Sequence, residues 1–168
     1  MKTTSAIFRD FCSIAVASLT FVARAASAQG PPQPPAYAEF RADLIVGRGT
    51  TVQGGLGGVI PLGAYVRFSV DGAAGSTWRD GSAHASGRVD AIGRFLLDPY
   101  REMPFGVSLG GGLSLPATRG DTRVRPYLTA VLDVEGRMHG PATPALQIGL
   151  GGGARLGVVL RMSPGRWR

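Results

Sequence analysis

The feature that most constrains this chain is an alternation of apolar and polar residues with a period of two, which begins at Tyr37. In the first segment Phe40 and Leu44 fall on one face, and Glu39 and Asp43 fall on the other. Because successive side chains of a β-strand point to opposite faces, this alternation predicts strands with one apolar and one polar face. The pattern recurs in segments of about ten residues with turn residues between them, which is typical of an all-β protein.

Alternating segments can be traced as far as Met162, with the last hairpin the least regular. They predict an all-β fold, an antiparallel up-and-down β-barrel of about eight strands. The composition agrees with strands, because 26 glycines and 12 prolines would make long helices costly. Between the third and fourth segments we expect a polar loop at residues 72–83.

Residues 1–28 have the composition of a secretory signal peptide. Lys2 and Arg9 precede an apolar run at residues 11–23, and Ala26-Ser27-Ala28 provides a small-residue cleavage site. The one cysteine lies in this segment, so neither a disulfide nor a cysteine metal site is expected in the exported chain. We therefore expect a signal peptide at 1–28, a proline-rich spacer at 29–36, a β-barrel at 37–163 and a C-terminal tail at 164–168.

The polar faces carry nearly balanced charge, which favours a transmembrane barrel over a soluble one. An eight-stranded barrel is too narrow inside for a water column, so inward-facing charges would pair and plug the lumen. On this interpretation the apolar faces contact lipid and the strands cross a bacterial outer membrane. The expected lumen charge network contains six acidic and seven basic residues: Glu39, Arg41, Asp43, Arg67, Asp71, Arg88, Asp90, Arg94, Arg125, Asp133, Glu135, Arg155 and Arg161.

The aromatic residues are unevenly distributed along the predicted strands. If the chain crosses the membrane alternately, most of them fall at the periplasmic end, as an interfacial aromatic girdle requires. The opposite rim has only Trp78 and Tyr127. The expected girdle consists of Tyr37, Phe40, Tyr65, Phe95, Tyr100, Phe105 and Trp167.

From about Ala36 to Met162 this pattern resembles the small eight-stranded outer-membrane barrels of the OmpA/OmpX type, most closely at residues 104–113 and 147–161. The resemblance is one of architecture and transfers no residue role. It implies a monomeric barrel of structural or surface-interaction role that is inserted by the outer-membrane assembly machinery. Such barrels usually end on an aromatic residue, whereas this chain ends with Trp167 followed by Arg168.

A soluble periplasmic or secreted β-barrel that binds an apolar ligand is the alternative from another class. Alternation alone allows it, because a soluble barrel turns its apolar face inward. In that case Phe68, Val89, Leu109 and Leu132 would form a buried core, and the Arg and Asp side chains would face water. The direction in which these faces point therefore separates the two hypotheses.

A lipid esterase at the barrel rim is a third hypothesis. His84-Ala85-Ser86 resembles the His-x-Ser pair of the lipid A deacylases, although Gly87 stands where an Asn usually follows. The acid at similar spacing, Asp98, would lie about 45 Å from His84 along one strand, whereas a catalytic triad needs hydrogen-bond contact. Asp90 would be about 20 Å away on the same count. We therefore assign no catalytic residue and do not expect an enzyme.

Arginines in the loops are candidates for contact with the phosphates of anionic lipid headgroups. No cofactor is expected, and two histidines, at positions 84 and 139, do not indicate a metal site. Arginines that alternate with acids do not form the concentrated basic patch that nucleic acid requires. The sequence Arg119-Gly120-Asp121 is interpreted as ordinary turn chemistry. The expected lipid contacts are Arg48, Arg79, Arg119 and Arg123.

Overall fold

The computed structural model describes residues 35–100, 103–119, 126–137 and 142–162. These residues form a closed antiparallel barrel in which each strand pairs with its neighbours in chain order and β8 pairs with β1. The predicted all-β, eight-stranded, up-and-down barrel is confirmed. Its strands are β1 Tyr37–Val46, β2 Thr50–Leu62, β3 Val66–Arg79, β4 Ser82–Leu96, β5 Gly106–Thr118, β6 Tyr127–Glu135, β7 Ala142–Leu150 and β8 Ala154–Met162.

Several expectations fall outside the described residues. The predicted signal peptide, most of the spacer and the C-terminal tail with Trp167 are among them. So are Arg123 and Arg125. No helix in the described ranges is long and apolar enough to span a membrane.

The stagger of the strands sets the width of the barrel. A row of paired residues that starts at Trp78 in β3 and passes through all the other strands returns to β3 at Phe68, ten residues away. With a rise of about 3.3 Å per residue and about 4.8 Å between strands, this stagger tilts the strands by about 40° from the barrel axis. The backbone cylinder then has a radius of roughly 8 Å, so that side chains alone can fill the interior.

The wall of the barrel is uneven in height. β3 and β4 contain 14 and 15 residues, whereas β6, β7 and β8 contain nine each. The strands are nearly level at the end of the barrel where β1 begins and β8 ends, which we call the terminal end. The extra residues of β3 and β4 therefore project from the opposite end, which we call the distal end.

The expected polar loop at residues 72–83 is wrong. β3 continues to Arg79 and β4 starts at Ser82, which leaves a two-residue turn. Asp80 and Gly81 have φ angles of 51° and 75°, and two positive φ angles are the property of the type I′ turn that joins tightly paired strands. Small residues in the second half of β3 weaken the visible alternation, which is why the extension was missed.

Replacement of Gly81 by Val tests this turn. A β-branched side chain at positive φ is strained, so we expect the free energy of unfolding to fall by about 1–2 kcal/mol. Ala83→Val, in the adjoining strand, is the matched control and should have little effect. The measurement is the midpoint of urea unfolding of the barrel, and equal midpoints for the two variants would contradict the turn assignment.

Candidate functional site in the barrel interior

Alternate positions of the strands point into the barrel, and these positions carry the charged residues. Of the thirteen residues expected in the lumen network, all but Arg125 are described. Eleven of them are buried and Arg67 is half-buried. The side chains of Glu39 and Asp133 have no solvent exposure at all. The interior is therefore an assembly of ionisable side chains that the barrel wall shields from solvent.

Six of these side chains meet near the terminal end and form what we call the terminal cluster: Arg67, Arg94, Arg161, Glu39, Asp133 and Glu135. Arg161 is its centre, with Nη2 3.0 Å from Oδ1 of Asp133 and Nη1 2.6 Å from Oε1 of Glu135. Arg94 donates to Glu39 through Nη2 at 3.1 Å. Three guanidinium groups thus face three carboxylates.

The other six form what we call the distal cluster: Arg41, Arg88, Arg155, Asp43, Asp71 and Asp90. Asp43 is its centre, because three arginines approach its carboxylate. The nearest nitrogens lie at 2.9 Å for Arg41, 2.7 Å for Arg88 and 3.2 Å for Arg155. Arg155 also reaches Asp90 at 2.8 Å. This cluster too combines three arginines with three acidic side chains.

Gln147 connects the two clusters. Its Oε1 accepts a hydrogen bond from Nη2 of Arg41, and its Nε2 donates to Oδ2 of Asp133 at 2.9 Å. A looser contact of 3.8 Å between Arg41 and Glu39 runs in parallel. Gln147 is buried on β7 and belongs to the interior as much as the ions do. Because an uncharged amide does not stand out in a search for charges, it was not among the expected network residues.

Tyr37 also lies differently from the expectation. It was assigned to the outer aromatic girdle, but it shares the inward face of β1 with Glu39 and is half-buried. The guanidinium carbon of Arg67 lies 5.9 Å from the centre of its ring, within cation–π distance. Tyr37 lies two residues before Glu39, and side chains two residues apart on a strand point to the same face, so the sequence spacing identifies Tyr37 as an interior residue.

The geometry does not provide a serine hydrolase. Oγ of Ser86 is buried and takes part in a hydrogen bond with Nε2 of Gln53 at 3.1 Å. His84 is exposed near the projecting rim, and no hydrogen bond joins it to Ser86 in the described part of the chain. Asp90 is held by Arg88 and Arg155. The contact between nucleophile and base that acyl transfer requires is thus missing from this arrangement.

The facing of the strands contradicts the hypothesis of an apolar ligand inside a soluble barrel. Leu109 and Leu132 are exposed on the outer surface, and Phe68 and Val89 lie half-buried on that same face. The interior instead holds the ion pairs. Within the described residues there is also no group of three or more His, Cys, Asp or Glu side chains that could hold a metal ion.

Three of the four arginines expected to contact lipid are described, and these three lie at the distal end. Arg48 is exposed in the turn between β1 and β2, Arg79 ends β3, and Arg119 follows β5. Arg79 pairs with Asp80 at 3.5 Å, and both side chains are largely in solvent. The described part of this rim thus exposes three arginines and one aspartate.

Replacement of Asp43 by Asn tests the charge balance of the distal cluster. The change keeps the shape of the side chain but leaves three arginines facing two carboxylates, so we expect a loss of about 3–5 kcal/mol in unfolding free energy. Adding Arg88→Gln restores neutrality and should recover part of this loss. Asp80→Asn, at an exposed pair, should leave the urea midpoint unchanged. Equal midpoints for Asp43→Asn and the wild type would contradict the role given to the cluster.

Comparison with known proteins adds no family to this geometry. No protein-family model matches the chain, and a search of curated proteins finds no match. The structure therefore supports two statements directly, that the chain is an eight-stranded closed barrel and that this barrel encloses buried charged pairs. The features that bear on function are the charged inner face and the apolar outer face of the barrel wall.

Proposed function

We propose that this protein is a monomeric β-barrel of a bacterial outer membrane, with a closed lumen and a structural or surface-interaction role. One observation carries the proposal: within the eight described strands, no outward-facing position holds a charged residue. In water such a surface would be a single apolar patch around the whole molecule, which soluble monomers avoid. A bilayer is the solvent that such a surface fits.

Each of the eight strands exposes at least one large apolar side chain on the outer surface. Leu56 is 56% exposed, Leu128 is 83% exposed and Val158 is 59% exposed, on three different strands. A soluble barrel of this size would bury such residues inside. The inverted polarity, with ions inside and leucines outside, is therefore the strongest physical support for lipid contact.

The height of the wall matches a membrane. At a tilt of about 40° each residue rises about 2.5 Å along the barrel axis. The nine residues of β8 then span about 23 Å, close to the apolar band of about 25 Å in outer-membrane barrels. The longer β3 and β4 would extend past this band into the aqueous phase at the distal end.

Aromatic side chains lie near the ends of this band. At the terminal end the ring of Tyr65 stacks on Phe95 with 5.8 Å between centres and meets Tyr100 edge-on at 6.2 Å. At the distal end Trp78 is exposed on the projecting part of β3, and Tyr127 is exposed on the inward face of β6. Rings of this kind favour the boundary between hydrocarbon and water. We therefore assign the terminal end to the periplasm and the distal arginines to the outer surface, where anionic headgroups are their partners.

The buried clusters favour the interpretation as a closed scaffold and argue against a channel. Guanidinium and carboxylate groups from several strands meet across a cylinder of roughly 8 Å radius, which leaves side chains in place of a water path. Arg94 and Asp133, in the terminal cluster, are fully buried. On this proposal the interior stabilises the barrel, and contact with other molecules occurs at the rim and on the outer wall.

Cell fractionation and a heat-shift gel test the proposal together. The full chain should be recovered in the outer membrane, inserted by the assembly machinery, and its band should migrate differently with and without boiling. A soluble periplasmic protein without a heat-dependent shift would refute the membrane proposal. A channel would instead be revealed by steady ion conductance in planar bilayers, which the closed interior predicts to be absent.

Arginine substitutions on the outer face test lipid contact at residue level. Leu56 lies midway along β2, so Leu56→Arg should destabilise the barrel in phospholipid vesicles by about 2–4 kcal/mol. Ser76 also faces outward but lies near the distal rim, so Ser76→Arg should cost about 1 kcal/mol or less. Both values come from urea unfolding in vesicles. Equal costs at the two depths would contradict a bilayer around the strands.

A further inference from the structure

The outer wall has a furrow across β5, β6, β7, β8 and β1. Its volume is about 650 Å³, within the range of about 300–1,000 Å³ that is usual for small-molecule sites. Leu109, Leu132, Ile148, Leu156 and Leu44 are paired in register and form one bank of the furrow. In the neighbouring row Ala130 and Ala154 have only methyl groups, and the larger Leu150 between them also lines the furrow. The furrow is therefore a gap in the leucine surface.

The furrow has a definite length and direction. Five neighbouring strands at about 4.8 Å spacing make it about 19 Å long, comparable with an extended fatty-acyl chain. It follows the hydrogen-bonded rows and climbs from Leu109 on β5 to Val46 at the distal end of β1. Its lining is apolar except for Arg155, whose guanidinium group is engaged with Asp43 and Asp90 inside the barrel.

The upper end of the furrow, at Val46, lies next to the turn that carries Arg48, and Arg79 packs beside that same turn. Val46 ends β1, and Arg48 follows in the exposed turn, with no ion-pair partner among the described residues. The next residue, Gly49, packs so close to β3 that an added Cβ would lie 3.3 Å from Cβ of Arg79. Arg79 itself pairs only loosely with Asp80, at 3.5 Å. Positive charge therefore adjoins the one end of the furrow that reaches the rim.

We propose that this furrow is a specific site for an anionic lipid, with one acyl chain along the furrow and the phosphate group at Arg48 and Arg79. An arginine fork suits phosphate, and an apolar furrow that starts under it suits the attached chain. A free anion would need only the arginines, and an apolar helix would need only the furrow. Because the two features adjoin each other, the ligand that fits both is an amphiphile. The inference rests on the proposed membrane location and assigns one lipid position within it.

Native mass spectrometry of the folded full chain in maltoside micelles tests the site. The probes are phosphatidylglycerol and phosphatidylcholine with identical acyl chains. We expect one phosphatidylglycerol to bind about tenfold more tightly than phosphatidylcholine. Arg48→Gln should abolish this preference. Ala130→Phe fills the furrow and should weaken the first binding step for both lipids by about tenfold.

Ala91→Phe is the matched control, because Ala91 also faces outward, on β4 away from the furrow. It should bind lipid as the wild type does.

A heat-shift gel verifies that each variant is folded, and Ala154→Phe replaces Ala130→Phe if that variant does not fold. Equal binding of the two lipids by the wild type, or equal losses in Ala130→Phe and Ala91→Phe, would overturn the site. If inorganic phosphate displaced phosphatidylglycerol equally well from all variants, the contact would be one with an anion alone, and the proposed lipid site would again be overturned. Because the heat shift of the wild type is measured separately from lipid binding, such a failure leaves the membrane proposal intact.

Discussion

The structure depends on the requirement that every charge inside the barrel meets its counter-charge inside the barrel. Asp43 on β1 binds Arg88, 45 positions later in the chain, and Arg155, 112 positions later. Such partners come together only when β8 closes on β1. An unpaired ion in this interior would cost several kcal/mol, so closure and pairing stabilise each other.

The same requirement determines strand register. A slip of one residue in any strand exchanges its two faces, which would turn its charged side chains to the apolar outer surface and its leucines into the ionic interior. The penalty falls on both faces at once, and Gln147 adds a contact that joins the terminal and distal clusters. In such a barrel the paired side chains fill the lumen. The proposed function therefore includes no transport.

Much of the fold could be predicted, because alternation is a local property. The eight strands and the inward facing of Glu39 and Arg41 follow from the pleat alone. The turn at Asp80 and Gly81 was missed, because small residues in β3 weaken the contrast on which the pattern relies. The girdle prediction for Tyr37 was wrong. It followed from the general preference of aromatic rings for an interface, whereas the two-residue spacing between Tyr37 and Glu39 places both side chains on the inward face of β1.

By itself, the sequence determined that the chain forms strands with a charged and an apolar face, since side-chain direction alternates with every residue. It could not determine which arginine meets which carboxylate, that these residues divide into two clusters of three arginines and three acids, or that a furrow on the outer wall ends next to the turn of Arg48. Only the tertiary structure decided these points. Pairings of this kind depend on the ten-residue stagger of the closed barrel, a property of all eight strands together and of no single segment.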